Sequence, residues 1–413
     1  MVSALTAYRA DWIFPVCGPP IRDGVLEITA DGRIAAIRTG RDRDAVDFGE
    51  CAVVPGLVNA HVHLEFSDLV RPLGPARPFS QWVRNVVAHR RQRLDSTEAI
   101  VRRGLNELAI SGTAAAGEIA TSDGIDAYAS GAVDVTIFRE LIGPLPEQWP
   151  ALLAAAERHV AGQPAAPGLR HGLSPHATYT VPQELFERAV DLSVRYDASI
   201  AVHLAETAAE RELLADGTGE LVELMRSLDL WRDELHPRGR RPLDWLRRLA
   251  ETPQGLVIHG NYLDDDELEF LAGSTLSLVY CPRTHSYFEH PPHPFRRVIE
   301  LGGRVALGTD GRSSNPDLDL WQEAVFLRQR HADLGCDTIL DLITSSGAAA
   351  LGIADRCGVL DVGRRADFLV VRLAAVGGTE PPDLFADGNA VSQVFRAGIA
   401  VDRPSTDSLR RIR

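Results

Sequence analysis

The chain contains no lysine, so all 43 of its basic residues are arginine. That absence excludes Schiff-base chemistry on a lysine amine. It also excludes a carbamylated lysine bridging two metal ions, which favours a single ion over a pair. Only five cysteines occur (Cys17, Cys51, Cys281, Cys336 and Cys357), and none forms a CxxC pair. A thiolate metal clasp and a disulfide framework are therefore not expected, and reduced thiols in a cytoplasmic protein are. There is no run of about 18 apolar residues, so no membrane span is expected. The opening segment MVSALTAYRADWIF lacks a basic region followed by a long apolar stretch, so no secretory signal is expected. Positive charge is not in excess: the net charge is −14, which argues against non-specific nucleic-acid binding and is compatible with a neutral or basic small substrate without demanding one.

What is present reads as a soluble globular protein, with 45% apolar and 24% charged residues. A length of 413 residues suits a large barrel with an accessory unit. Both ends are rich in short β-type runs. GVLEITADGRIAAIRTG carries an Asp-Gly turn between two such runs, a hairpin signal; GVLDVGRRADFLVVRL and AVSQVFRAGIAVDRP look similar. Between the ends, eight apolar runs alternate with helical patterns: AVVPGLVNAHVH, GTAAAGEIA, VDVTIFREL, LRHGLSPHA, ASIAVHLAE, GLVIHGNYL, TLSLVYCPR and RVALGTDG. This order predicts an α/β fold, a (β/α)8 TIM barrel over residues 55–355. Residues 1–54 and 356–413 are expected to meet as one small β-sandwich domain. Two long stretches, SDLVRPLGPARPFSQW and roughly 228–243, have the length of substrate lids.

Functional side chains of such barrels sit at the C-terminal ends of the strands. Here those ends carry His61 and His63, Glu118, Glu140, His176, His203 with Glu206, His259, and Asp310. His61-Val-His63 places two imidazoles on one side of a strand. Imidazole and carboxylate are the ligands zinc or iron takes when one position stays open for water. His203 supplies a third imidazole. Glu206 is placed either to carry protons or simply as a first-turn helix glutamate. His259 has three readings: a ligand, a hydrogen-bond partner of water, or a buried ring satisfied by a backbone carbonyl. Asp310 follows an apolar strand and needs a partner, which a metal, its water or a helix N-terminus supplies.

Taken as a set, HxH, HxxE, HG and TD on strands one, five, six and eight resemble the amidohydrolase superfamily, in its cytosine deaminase, guanine deaminase and chlorohydrolase branch. ADFLVV near the end is similar to that family's terminal strand. The resemblance implies one Zn²⁺ or Fe²⁺ per chain on His61, His63, His203 and Asp310. It implies Glu206 protonating a ring nitrogen, His259 orienting the attacking water and Asp310 accepting its proton. The expected reaction is hydrolytic deamination of a purine- or nucleoside-like heterocycle, with dechlorination or cyclic-amide hydrolysis as the alternative and a non-enzymatic assembly role as a remote one. NAHVHLEFS, FSQWVRNVV and SPHATYT resemble nucleoside-type deaminases, which makes His176 and Trp82 candidates for substrate contact. With TDGRSSNPDLDL they look most like aminodeoxyfutalosine deaminases or methylthioadenosine/S-adenosylhomocysteine deaminases. One segment departs from the branch: Cys281-Pro282 is followed by Arg283, Thr284 and His285 instead of a Ser-Asn pair. Arg283 and His285 are therefore candidates for recognising an anion, or else surface residues. Arg139 and Glu140 are candidates for substrate contact or a structural ion pair. A homo-oligomer is a family expectation.

Overall fold

The computed structural model describes residues 5–40, 42–122, 124–162, 164, 166–374 and 378–402. The first and last stretches of the expected end domain, 1–4 and 403–413, lie outside the described residues. Strands from both chain ends form one mixed sheet. The N-terminal part gives β1 (Thr6–Ile13), β2 (Ile21–Ile28), β3 (Ile34–Thr39), β4 (Val46–Asp47) and β5 (Cys51–Pro55). Its β2–β3 hairpin has Leu26 opposite Ile37, as the Asp-Gly signal predicts. The C-terminal strands of this sheet, Phe368–Arg372 and Ala390–Arg396, join through β5, with Val53 opposite Val370.

The run AVVPGLVNAHVH divides at Pro55-Gly56. Its first half is β5, and its second half, β6 (Leu57–His63), opens a parallel sheet. A side chain at Gly56 would meet Ala114 at 2.7 Å and Asp367 at 3.1 Å, so only glycine lets the chain pass from one sheet to the other here. The parallel sheet continues through β7 (Thr113–Ala120), β8 (Asp134–Leu141), β9 (Leu169–Pro175), β10 (Ser199–Leu204), β11 (Gly255–His259), β12 (Ser277–Tyr280) and β13 (Arg304–Leu307). The eighth strand breaks at Gly308-Thr309 and resumes as β14 (Asp310–Gly311), which pairs with β6 and closes the barrel. Helices fall between most strands, including Gln183–Arg195 and Asp265–Ala272, where the apolar periodicity placed them. The architecture is a (β/α)8 barrel with a small β unit drawn from both ends.

Alternation along the strands separates two apolar layers. Ala115, Ile119, Phe138, Ala201, Ile258, Val279 and Ala306 belong to one buried cluster with Val58 and Ala60. Their neighbours Ile200, Val202, Val257, Leu278, Val305 and Leu307 belong to another, shared with the surrounding helices. The first set marks the barrel interior. His203, Glu140 and Asp310 share the parity of Ala201, Phe138 and Ala306 in that set.

Candidate active site

Four imidazoles and one carboxylate converge at the C-terminal ends of β6, β10, β11 and the eighth strand. Nε2 of His61 lies 3.4 Å from Asp310 Oδ1, and Nε2 of His63 lies 3.6 Å from the same oxygen. The Nε2 atoms of His63 and His203 are 3.2 Å apart. His61, His203 and His259 form one buried group of converging donor atoms; His61, His63 and Asp310 form the other. The residues alone leave His259 open as a ligand or as a partner of the water, and the resemblance implies the water; its ring stands in the same donor cluster as the ligand candidates.

The surrounding chain fixes these groups. The Nδ1–H of His203 donates to the carbonyl of His176 at 3.0 Å, which selects the tautomer whose Nε2 lone pair faces the cluster. Asn59 accepts from the backbone N–H groups of His61 and Thr309 and donates to the Thr309 hydroxyl, locking β6 to the broken eighth strand. Ser314 donates to Oδ2 of Asp310 at 2.7 Å, leaving Oδ1 to the histidines. Ala205, His259 and Asp310 adopt left-handed backbone, φ 52°, 69° and 56°. Such strain is held at functional sites by surrounding contacts. At His259 one contact is clear: His293 Nε2–H donates to its carbonyl at 2.7 Å, while His293 Nδ1 accepts from the Phe295 N–H at 3.0 Å. Both ring nitrogens of His293 are thus committed, and its ring stacks on Tyr280.

Burial sets the charges. It pulls His63 and His203 well below the usual imidazole range, and His176 and His259 down to about 3, so these rings are neutral donors. Burial also pushes the carboxyl of Glu206 well up, reinforced by the charges of Asp310 and Glu210. Burial acts the same way on Asp310, but His61, His63 and His259 outweigh it and hold the group ionised. Neutral imidazoles and one carboxylate, with both ring nitrogens of His61 buried and without a hydrogen-bond partner among the described residues, match the donor set of a single divalent cation.

The cluster forms the floor of a cavity of about 200 Å³, lined also by Trp82, Glu140, His176, Thr180 and Glu206. Glu206 Oε1 is 3.5 Å from His259 Nε2. Its main chain is fixed on both sides, the N–H donating to Glu210 and the carbonyl accepting from Asn261. The outer wall is apolar: Phe79, Val83 and Val86 from the helix Phe79–Gln92, and Leu224, Met225, Leu228 and Leu230 from the helix Glu220–Ser227 and the loop after it. Ser80 donates to Glu220 at 2.7 Å and ties the two helices. Sequence reading missed this wall, although Leu221, Val222, Leu224 and Met225 form an apolar stripe.

Four expected substrate residues stand elsewhere. Glu118 shares the parity of Ala116 and Ala120, which pack outside the barrel; it accepts from the Leu64 N–H and the Tyr128 hydroxyl. Arg139, one residue from Glu140, projects to the other face and lines a separate cavity with Arg158, His159 and His171. Arg283 is not an anion-recognition group in this arrangement, because it is bonded to Glu323 at 2.6 Å and Asp317 at 2.8 Å. The His285 Nε2–H donates to the Pro291 carbonyl at 2.9 Å, a few residues further along the chain. Asp310 does not cap the following helix; Asp319 does, accepting from Trp321 and Gln322.

A closed (β/α)8 barrel with three or four imidazoles and a carboxylate gathered at the strand ends defines a metal-dependent barrel hydrolase. The amidohydrolase family model matches residues 52–401, and the chain belongs to that family. It is 30% identical over 407 residues to the 5-methylthioadenosine/S-adenosylhomocysteine deaminase of Desulfovibrio desulfuricans, covering 94% of this chain and 84% of the relative. Among solved structures, aminofutalosine deaminase of Helicobacter pylori in complex with methylthio-coformycin superposes with a TM-score of 0.81 at 20% identity, covering 96% of this chain and 100% of that one. The zinc complex of atrazine chlorohydrolase from Arthrobacter aurescens gives a TM-score of 0.76 at 19% identity, covering 98% of each chain. No helix among the described residues is long and apolar enough to cross a membrane.

Proposed function

We propose that this chain is a hydrolytic deaminase that converts an aminated, nucleoside-like heterocycle to its oxo product and ammonia. The observation that carries the reading is the pairing of a buried, proton-holding Glu206 with neutral His259 beside the donor cluster, all facing one cavity. His61, His63, His203 and Asp310 would hold the divalent ion, Zn²⁺ or Fe²⁺, with His259 at its edge. Such an ion lowers the pKa of a coordinated water to about 7 and so supplies a nucleophile at neutral pH.

The chain's own groups supply the rest. Asp310, ionised and with Oδ2 held by Ser314, takes the proton of the attacking water at Oδ1. His259 Nε2 orients that water. The carboxyl of Glu206 gives its proton to the ring nitrogen next to the amino-bearing carbon, making that carbon electrophilic. As the carbonyl forms, its hydroxyl proton restores Glu206, and the proton held by Asp310 passes to the departing amine, so ammonia leaves and both carboxyl groups return to their starting states. Trp82 and His176 border the substrate, Trp82 fixed by donating its indole N–H to the Ser313 carbonyl at 3.1 Å. In this reading residues 55–355 are the catalytic unit, supported by 1–54 with 356–413. The similarity to methylthioadenosine and S-adenosylhomocysteine deaminases supports an adenine-type ring.

The test is release of ammonia from purine nucleosides by metal-loaded enzyme. Glu206→Gln is expected to lower kcat by about 100-fold or more while about one metal per chain is retained. Chloride release from chlorinated rings without ammonia release would overturn deamination in favour of dechlorination. Loss of metal from the Gln variant would move Glu206 into the ligand set.

A further inference from the structure

Glu210 is 1% exposed and takes no part in the chemistry above. Neither it nor Thr178 is among the described residues that line the cavity. It sits in the first turn of the helix Ala208–Asp216, three residues after the N-cap Thr207, whose hydroxyl accepts from its N–H at 3.2 Å. In a capping box a glutamate at this position reaches back to the backbone N–H of the N-cap residue. Glu210 reaches one residue further. Its Oε2 accepts from the N–H of Glu206 at 2.9 Å, and its Oε1 accepts from the hydroxyl of buried Thr178 at 2.9 Å. Thr178 belongs to the segment after β9 that carries His176, whose carbonyl also takes the N–H and the Nδ1–H of His203. One carboxylate therefore ties the turn that carries Glu206 to the neighbouring strand end. The turn needs holding, because Ala205 just before it has left-handed backbone, φ 52°. Burial pushes the Glu210 carboxyl up to about 7, against the bonds it accepts. A helix cap alone is served by a solvated glutamate, without that desolvation.

We propose that Glu210 and Thr178 are positioning residues for proton transfer: they hold the main chain of Glu206 so that its carboxyl meets the reacting ring nitrogen beside His259. The assignment rests on the reading of Glu206 as the proton donor. The Glu206 carboxyl hangs on a short stem, so it follows its own backbone. Rotation of the Ala205–Glu206 peptide moves that carboxyl relative to His259 Nε2, 3.5 Å away. Proton transfer tolerates little misplacement, since the donor has to lie within about 2.6–3.2 Å of its acceptor. Binding of the ring is set by the rest of the cavity. The effect of releasing the turn thus falls on kcat rather than on KM. An amide in place of the Glu210 carboxylate keeps an acceptor for the Glu206 N–H, so the role requires shape and hydrogen bonding rather than charge.

The experiment measures ammonia release from adenosine and 5′-methylthioadenosine, chloride release from a chlorotriazine, and metal content, for metal-loaded wild type and variants. Glu210→Ala is expected to lower kcat about tenfold or more, with KM changed by less than about threefold and the metal retained. Glu210→Gln is expected to recover most of kcat. In Glu206→Gln, whose proton donor is already gone, adding Glu210→Ala is expected to change the residual rate by less than about twofold. General loosening of the fold would not give that non-additivity. Thr178→Val is expected to lower kcat about threefold or more, and it covers the case in which Glu210→Ala does not fold. Wild-type kcat in the folded alanine variant, or in Thr178→Val when the alanine variant does not fold, would overturn the proposal. So would a Gln variant as slow as the Ala variant, a loss that falls on KM, or full additivity with Glu206→Gln. If wild type releases chloride but no ammonia, and the same pattern appears in chloride release, the proposal stands and deamination falls. No turnover of any of these by metal-loaded wild type overturns both.

Discussion

Glu140 offers a stability test that needs no substrate. Burial pushes its carboxyl up from 4.5 to about 7, with Arg90 opposing and Glu65 adding to the rise. The side chain is 2% exposed, so solvent screens little of this. A rise from 4.5 to about 7 corresponds to about 3 kcal/mol of linkage between protonation and folding. Between these two values the folded chain holds a proton that the unfolded chain has released. The stabilisation is therefore complete below about pH 4.5 and is lost as the pH rises through about 7. Glu140→Gln does not ionise and escapes the loss. Between pH 5 and 8.5 the variant should gain about 2.5 kcal/mol relative to wild type. Spread over the unfolding entropy of a chain this long, that is about 3 °C in Tm. Differential scanning calorimetry of both metal-loaded proteins across that range is the assay. Parallel Tm curves would refute the claim that burial raises the carboxyl of Glu140 in spite of Arg90.

Two further outcomes follow from the segment after β12. Arg283→Met should destabilise the fold by about 3–5 kcal/mol, because buried Glu323 and Asp317 lose their counter-ion, with KM unchanged; denaturant unfolding reads the first and steady-state kinetics the second. A shifted KM at unchanged stability would return Arg283 to substrate recognition. His293→Phe keeps the stack on Tyr280 but removes the donor to the His259 carbonyl, and is expected to cost about 1–3 kcal/mol and to lower kcat about tenfold or more with KM little changed. His293→Gln, which offers an amide N–H, should recover part of kcat. Equal kcat in the Phe variant and wild type would mean that His259 holds its strained backbone without this bond.

The strand order, the barrel and the mixed origin of the small β unit were legible in the sequence, because apolar runs of strand length with helical patterns between them admit few folds. The donor cluster was legible for the same reason: strands that share a barrel bring their C-terminal ends together, whatever the spacing between His63, His203 and Asp310 in the chain. Parity was available too. Phe138 and Ile119 are large apolar residues expected inside, which places Glu140 with them and turns Arg139 and Glu118 outward. That period-two argument separates the neighbours Arg139 and Glu140, which strand-end position alone cannot do.

What the sequence by itself determined is thus the set of strands and the chemistry at their ends, since both follow from local pattern. Only the tertiary structure decided the partners across long separations: Arg283 with Glu323, His293 with His259, and the apolar wall formed when the helix Phe79–Gln92 meets the helix Glu220–Ser227. Charge and burial are properties of an assembled neighbourhood. No local pattern states that Arg90 is committed to buried Glu65 while both carboxylate oxygens of nearby Glu140 are without a hydrogen-bond partner among the described residues.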